Sequence, residues 1–385
     1  MVPRVLQVIP ELNTGGAEKT VLEMTQALRS VGWGSYVACQ GGVLVGQIEE
    51  AGGRVFSLGL KSKNPFTIWC NGYRLARLIK EHNIDLIHAR SRAPAWSALW
   101  AARKTGIPFV TTYHGAHSQR TFLKRFYNSV MARGDVVIAN SDYTAQQIKT
   151  FHGSHIKQME TIYRGVDLEK NDLDTVSLER QQALREQWGV GEDARIILQP
   201  ARLSRRKGQS DVIAAVTDLK NQGKLNNVVV IMAGGIEGNE AYHEELQNQI
   251  KAGGLEGIVK CVGFCADMPA AFAISDMVLA VSSKPESFGR VVAESMAMGL
   301  PLIVSEVGAQ PEVMRGENGN PLEGTWLVSP FDPQAIAQGI LALQNLSLEQ
   351  RQAYSRLARE HVAGKYSIET LKQQTIDVYK RLLGV

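Results

Sequence analysis

Two distant stretches of the chain open in the same way, and that repetition narrows the folds open to it. Val5-Leu-Gln-Val-Ile9 is an apolar run followed by a loop over 10–16 and a segment, 17–30, whose Ala17, Val21, Met24 and Leu28 fall on one helical face. Arg195-Ile-Ile-Leu-Gln-Pro200 starts a second unit of this kind, with a loop over 201–208 and a helical pattern over 209–220. Strand patterns then recur at 35–38, 55–58, 84–88, 109–113 and 136–139, and in the second half at 228–232, 259–263, 277–281 and 302–304. Strands alternating with helices predict α/β architecture, with a parallel sheet in each half covered on both faces.

The 385 residues suffice for two cores, and 44% hydrophobic with 21% charged content is that of a soluble globular protein. No apolar run approaches the roughly eighteen residues that span a bilayer. The start, Met1-Val-Pro-Arg, has no signal-peptide pattern, so a cytoplasmic location is expected. Cys261-x3-Cys265 lacks the partner ligands of a zinc site, and all four cysteines read as reduced thiols. The glutamine-rich, charged stretch 168–193 predicts a helix leading into the second domain, with a hinge near 165–172. The domains are therefore expected at 1–168 and 169–365. From 347 onward the chain reads as charged helices, the last beginning after Tyr366.

Glu286-Ser-Phe-Gly-Arg-Val-Val-Ala-Glu294, continuing Ser-Met-Ala-Met-Gly-Leu-Pro301, puts two carboxylates eight positions apart across a loop-to-helix junction. The helix, 290–298, ends at Gly299 and carries Glu294 in its second turn. Ligands of open α/β sheets bind where such loops leave the carboxyl ends of strands, so both carboxylates can face one ligand. A carboxylate accepts both hydroxyls of a ribose, which suits Glu294, and another can hold sugar hydroxyls, which suits Glu286. Two glutamates at this spacing alone would read as flanks of a core helix; the glycines and proline around them reverse that reading.

The block resembles the signature of the retaining glycosyltransferases of the GT-B type, family 4, in which Glu-x7-Glu is followed by Ala-x-Gly-x-Pro, here Ala297-Met-Gly-Leu-Pro301. The resemblance implies two Rossmann-like domains facing each other across a crevice, and a terminal helix, about 366–385, returning to the first domain. It also implies transfer of a sugar from a UDP- or GDP-linked nucleotide sugar with retained configuration and no metal or other cofactor. Arg202 and Lys207, five positions apart in Arg202-Leu-Ser-Arg-Arg-Lys-Gly208, are then the cations that meet the departing diphosphate. Arg205 and Arg206 are surplus, serving either an extra anion or solvent. Ser287, Phe288 and Gly289 would present backbone N–H groups at the opening of the Glu294 helix. Gly235, in Ala233-Gly-Gly235, would give way for the nucleotide, and Phe264, in Val262-Gly-Phe264, would lie where the base is contacted through the backbone. Val307-Gly-Ala-Gln-Pro-Glu312 matches a glycine-rich loop of the family, with Ala309 where a second glycine is common.

In the first half, Asn13-Thr-Gly-Gly-Ala-Glu18 lets the backbone approach a ligand at a helix start, so the resemblance puts Gly15 and Gly16 near the donor phosphates or the acceptor. The pattern Gly-x-Gly-x-x-Gly is absent there, against a dehydrogenase. His114, in Thr111-Thr-Tyr-His-Gly115, is the residue the family sets against the donor sugar; by itself it would read as a strand-end cap, and His117 is a weaker companion. In Ile162-Tyr-Arg-Gly-Val-Asp167, Arg164 replaces the family's asparagine, either to face an acidic sugar or phosphate or to pair with a local carboxylate.

Residues 1–168 hold 20 Lys and Arg against 11 Asp and Glu, whereas the remainder is net acidic. No basic run interleaved with aromatics marks a nucleic-acid partner, so an anionic membrane surface fits this asymmetry better. Within 118–133, Phe122, Phe126 and Val130 recur at a spacing of four among Arg120, Lys124, Arg125 and Arg133. That suits a helix lying at a membrane interface, or one packing its stripe on the sheet. The expected acceptor is lipid-linked or saccharide, as in the similar lipopolysaccharide-core transferases, at the cytoplasmic membrane face. The alternatives are a soluble acceptor, another GT-B activity such as an epimerase or phosphorylase, and a non-catalytic sugar-binding protein.

Overall fold

The computed structural model describes residues 2–13, 15–115 and 121–385. The chain forms two units, Met1–Arg164 with Ile368–Val385, and Gly165–Ser367. Each is a Rossmann-like layer of parallel strands between helices, as the alternation predicts.

Unit 1 runs β1 (Arg4–Val8), α1 (Gly16–Ser30), β2 (Gly34–Cys39), α2 (Val45–Glu50), β3 (Arg54–Ser57), α3 (Pro65–Glu81), β4 (Leu86–Ala89), α4 (Arg92–Thr105), β5 (Phe109–Tyr113), α5 (Phe122–Asn128), β6 (Val136–Ala139), α6 (Asp142–His152) and β7 (Met159–Thr161). Its seven strands lie in the order β3-β2-β1-β4-β5-β6-β7, with Leu6 of β1 opposite Tyr36 on one side and Ile87 on the other. The chain reverses its winding between β1 and β4. Central strands β4, β5 and β6 are buried at every position because helices cover both faces, which is why they read as continuous apolar runs. The edge strand β7, half-buried throughout, has no such run and was not expected from the sequence.

Unit 2 contains α7 (Leu178–Trp188), β8 (Arg195–Pro200), α8 (Gln209–Asn221), β9 (Val228–Ala233), α9 (Glu240–Ala252), β10 (Val259–Gly263), α10 (Met268–Ala273), β11 (Met277–Ala280), α11 (Arg290–Ala297), β12 (Leu302–Ser305), α12 (Gln310–Val313), β13 (Thr325–Val328), α13 (Pro333–Gln344) and α14 (Leu348–Lys365). The sheet order β10-β9-β8-β11-β12-β13 reverses between β8 and β11. Helix α7 is shorter than the 168–193 stretch: Ser177 caps it by accepting from Arg180 N, and Gly189 ends it in the left-handed conformation.

The last helix, α15 (Ile368–Leu383), belongs to unit 1. Its Leu371, Ile376, Val378 and Tyr379 are buried among Val5, Leu28, Leu86, Val110 and Val136. Side chains of this size contribute about 1.5–3 kcal/mol each when fully buried, so α15 is part of the unit's core. Tyr379 also reaches the middle of the sheet. Buried His88 lies between Tyr379 Oη, 2.5 Å from its Nδ1, and Thr112 Oγ1, 2.7 Å from its Nε2. A neutral imidazole can donate at one nitrogen and accept at the other. Burial, helped by the Arg90 charge, holds the His88 pKa well below the ordinary 6.5, and burial pushes the Tyr379 hydroxyl up to about 12.

The sign of the pH effect follows. Folded His88 stays neutral where the unfolded chain takes up a proton, so this stability is complete above the unfolded value of 6.5 and is lost as pH falls below it. The melting temperature of unit 1 is expected to drop between neutral and mildly acid pH, and His88→Asn should flatten that acid limb in calorimetry across pH.

Candidate active site

The reversal of winding in unit 2 sets two loops side by side at the carboxyl ends of β8 and β11, the position where open α/β sheets bind ligands. The first, 201–208, carries Arg202 and Lys207; the second, 281–289, carries Glu286. Lys207 Nζ donates to Glu286 Oε1 at 2.8 Å, and Ser282 Oγ reaches the same oxygen at 3.4 Å. Both charged side chains keep a little over a quarter of their surface exposed. Arg202 is exposed on the same loop.

Two buried glutamines fix that loop at both ends. Gln199 donates to Lys207 O at 2.8 Å and Gln209 to Arg202 O at 3.2 Å. A third, Gln310, donates to Ala280 O at 2.9 Å, tying the loop after β12 to the end of β11. Sequence reasoning passed over all three; their signal was a polar residue at the end of an apolar strand or the start of a helix. Arg205 is not left for an anion, because its guanidinium forks onto Glu245, at 2.9 and 2.5 Å, above the Tyr242 ring.

Glu294 sits on α11 as expected, paired with Arg290 one turn earlier at 3.1 Å. Gly289 caps that helix, and Phe288 is buried with its ring 5.8 Å from Tyr366, so Phe288 offers a ligand only its backbone. Tyr366 in turn donates to Glu312 O at 3.2 Å, which braces the 307–312 loop. Gly308 of that loop pairs with Glu286 in an isolated parallel bridge, Ala309 N donating to Glu286 O at 2.9 Å. The Gly308 φ is +70°, and a Cβ there would lie 2.5 Å from the Glu286 backbone N and O. No larger residue fits without displacing the carboxylate-bearing segment. At the β9 end, the close backbone approach is made by Gly234, whose Cβ would fall 2.1 Å from Ala201 O; at Gly235 it would meet only the movable carboxylate of Glu237. Phe264 follows edge strand β10 and is 75% exposed.

In unit 1, His114 directly follows β5. Arg164 Nη2 donates to His114 Nδ1 at 2.9 Å, which leaves the ring proton on Nε2. These two residues, with Thr20, Arg90, Thr112 and Asn140, line a cavity of about 20 Å³. That is room for about one water and not for a sugar ring. Arg90, also missed by the sequence reading, is buried and donates from Nε to Gln7 Oε1 at 2.8 Å. Gly15 caps α1 and Gly16 begins it, with the Glu18 carboxylate folded over Gly15. His117 and Arg120 lie outside the described residues. The expected stripe on 118–133 is broken: α5 ends at Asn128, Phe122 and Phe126 are exposed, and Val130 is buried in the following turn. Among the described residues, no three His, Cys, Asp or Glu side chains gather to hold a metal ion, and no helix is long and apolar enough to cross a membrane.

Residues 14–170 match the family model described as Glycosyltransferase Family 4, and residues 180–361 the model described as Glycosyl transferases group 1. Together the matches run over most of the chain, which belongs to the glycosyltransferases of the GT-B fold and is an enzyme of that class. A D-inositol 3-phosphate glycosyltransferase of Nocardioides sp. is 26% identical over 328 residues, 77% of this chain and 67% of the relative. A glycosyltransferase structure from Rickettsia africae superposes with a TM-score of 0.90 at 27% identity, covering 99% of both chains. The Anabaena protein HepE, solved with UDP and glucose, superposes with a TM-score of 0.81 at 23% identity over 98% of this chain and 100% of its own.

Gly308→Ala tests the packing behind Glu286. Forcing a side chain into a left-handed backbone position costs about 1–3 kcal/mol, before the clash with Glu286 is counted. A lower melting temperature and weaker nucleotide-sugar binding are expected together, read by thermal denaturation and by calorimetric titration.

Proposed function

We propose that the protein transfers a sugar, with retention of configuration, from a nucleoside-diphosphate sugar to a lipid-linked or lipopolysaccharide-type saccharide acceptor at the cytoplasmic face of the membrane. The observation that carries the donor part is the pairing of Lys207 with Glu286 at the point where the unit 2 sheet reverses, with exposed Arg202 on the same loop as Lys207. Uracil is the favoured donor base, supported by the UDP named for the structurally similar HepE.

The chemistry follows from charge. Cleavage of the sugar–phosphate bond leaves both bonding electrons on the diphosphate oxygen, so fixed positive groups near that oxygen lower the barrier. Lys207 and Arg202 supply those charges, assisted by the backbone N–H groups of Ser287, Phe288 and Gly289 at the opening of α11. Without donor, Glu286 neutralises Lys207; with donor bound, phosphate takes the ammonium and sugar hydroxyls take the carboxylate. Glu294 accepts from the ribose hydroxyls, Gly235 and Phe264 flank the nucleoside, and no cofactor takes part. On unit 1, His114, held by Arg164 and half-buried, is assigned to meet the transferred sugar outside its small cavity, with Gly15 and Gly16 near the phosphates or the acceptor.

UDP and UDP-sugars are expected to raise the melting temperature of the wild type, and Glu294→Ala to weaken that binding by about ten- to a hundredfold, the value of a hydrogen bond to a charged group. A wild type stabilised by no nucleotide sugar overturns the donor assignment.

Transfer is expected to persist under EDTA. Lys207→Ala and Arg202→Ala should each lower kcat by about a hundred- to a thousandfold, the usual loss when one charge-stabilising donor is removed. Loss of turnover under chelation, measured by release of UDP, contradicts this mechanism.

A further inference from the structure

We propose that unit 1 carries a docking face for an anionic lipid bilayer, formed by a seam of aromatic rings crossing α3, α4 and α5. The rings fall in two stretches, joined through helix α4. On α3, Phe66, Trp69 and Tyr73 touch in turn, with ring centroids 6.1 and 4.7 Å apart, and Tyr73 meets Trp100 of α4 at 4.2 Å. Trp96, one turn earlier on α4, stacks on Phe126 of α5 at 5.3 Å. Helices α3 and α4 pack closely enough that a Cβ at Gly72 would meet the Trp100 ring at 2.8 Å, so the rings form one surface.

Trp96 and Trp100 rest partly on the unit 1 core, and the other rings stand out from it. Phe66 is 70% exposed and its contacts Trp69 and Tyr73 are exposed with it, while on α5 Phe126 is exposed and Phe122 and Leu123 add 81% and 77% exposed side chains. Monomeric soluble proteins seldom leave so many large apolar groups contiguous and uncovered. Cations fringe the seam. Lys104 lies 5.2 Å from both the Tyr73 and Trp100 ring centres, and the Arg133 guanidinium 5.8 Å from that of Trp96. The Lys104 stem lines the rings while its charge stays available to water or headgroups, and Arg133 is held in place by Ser129 and His155.

Charge selects the occupant. Residues 51–80 and 86–134 contain fourteen Lys and Arg and no Asp or Glu. The acidic partners sit at the margin, where Glu11 pairs with Lys61 and Glu81 with Arg77. Aromatic rings at headgroup depth on a face of net positive charge are what an anionic membrane interface binds. The rings of α3 and α4 form no flat platform for a run of sugar rings, being inclined to one another by 34°, 76° and 48°. The broken α5 stripe is thus one end of a larger surface centred on α3 and α4. The proposal rests on the membrane-side reading above for the purpose of docking, while the face itself is argued from unit 1 alone.

The test is flotation of the full-length protein with vesicles of phosphatidylcholine alone and of phosphatidylcholine with phosphatidylglycerol. The protein should float only with the anionic vesicles and be released by added salt. Phe66→Ser with Trp69→Ser should abolish flotation. Lys104→Glu with Lys124→Glu should reduce it by at least about fivefold for each positive charge removed. Leu348→Ser, which removes an exposed leucine from unit 2, should leave flotation unchanged. All variants should keep the thermal shift with UDP-sugar, so lost docking is distinguishable from a lost donor site. Conversely, a wild type that floats but takes no nucleotide sugar retains the docking face and removes the proposed function. Failure to float, equal flotation with neutral vesicles, variants that float undiminished, or capture by an acidic polysaccharide in place of vesicles each overturns the proposal.

Discussion

Everything in the unit 2 site turns on the Lys207–Glu286 ion pair. A solvent-reached pair, each side chain a little over a quarter exposed, contributes only about 0–1 kcal/mol to stability, so its meaning lies in what it joins. Lys207 belongs to the loop after β8 and Glu286 to the loop after β11, strands that are neighbours only because the chain changes its winding direction between them. The pair keeps two opposite charges close enough to cancel. Phosphate and hydroxyl groups arriving together can exchange with both charges at once, so neither is left bare in a partly desolvated site.

The supports of that pair are backbone contacts and neutral amides. Gln199 and Gln209 hold the two ends of the cationic loop by its carbonyls, and Gly308 lies so close to Glu286 that the segment cannot shift without breaking a bridge. Phe288, Tyr366 and Glu312 continue the bracing behind it. Charged groups that must exchange partners are thus carried on loops fixed by groups that need not. A carboxylate in place of either glutamine would put a competing anion beside the cations intended for the ligand.

What the sequence disclosed depended on how strongly each feature was forced by burial. Central strands β4, β5, β6, β8 and β11 are buried on both faces, so their apolar runs could hardly be mistaken. Edge strands β7 and β13, covered on one side only, carry mixed residues such as Met-Glu-Thr and escaped notice. The two glutamates and the Arg–Lys loop were legible because their spacing spans a strand–loop–helix junction. The choice between Gly234 and Gly235 was not, since the two residues are adjacent and only the path of Ala201 separates them. Likewise, the partner of Arg164 lies fifty residues away at the end of another strand, beyond what local pattern can reach.

The charge imbalance of the chain has a comparable local cause. A basic excess spread evenly over unit 1 would be a matter of solubility alone. Here α3, α4 and α5 carry no acidic residue except Glu81 at the end of α3, and aromatic rings stand among their cations. Burying those rings within unit 1 would have required a further layer over α3 and α4. The last helix packs into a different cluster: α15 joins Val5, Leu86 and Val136, and its Tyr379 reaches His88 within the sheet. The aromatic face thus has no covering helix within unit 1, as the proposed docking surface requires.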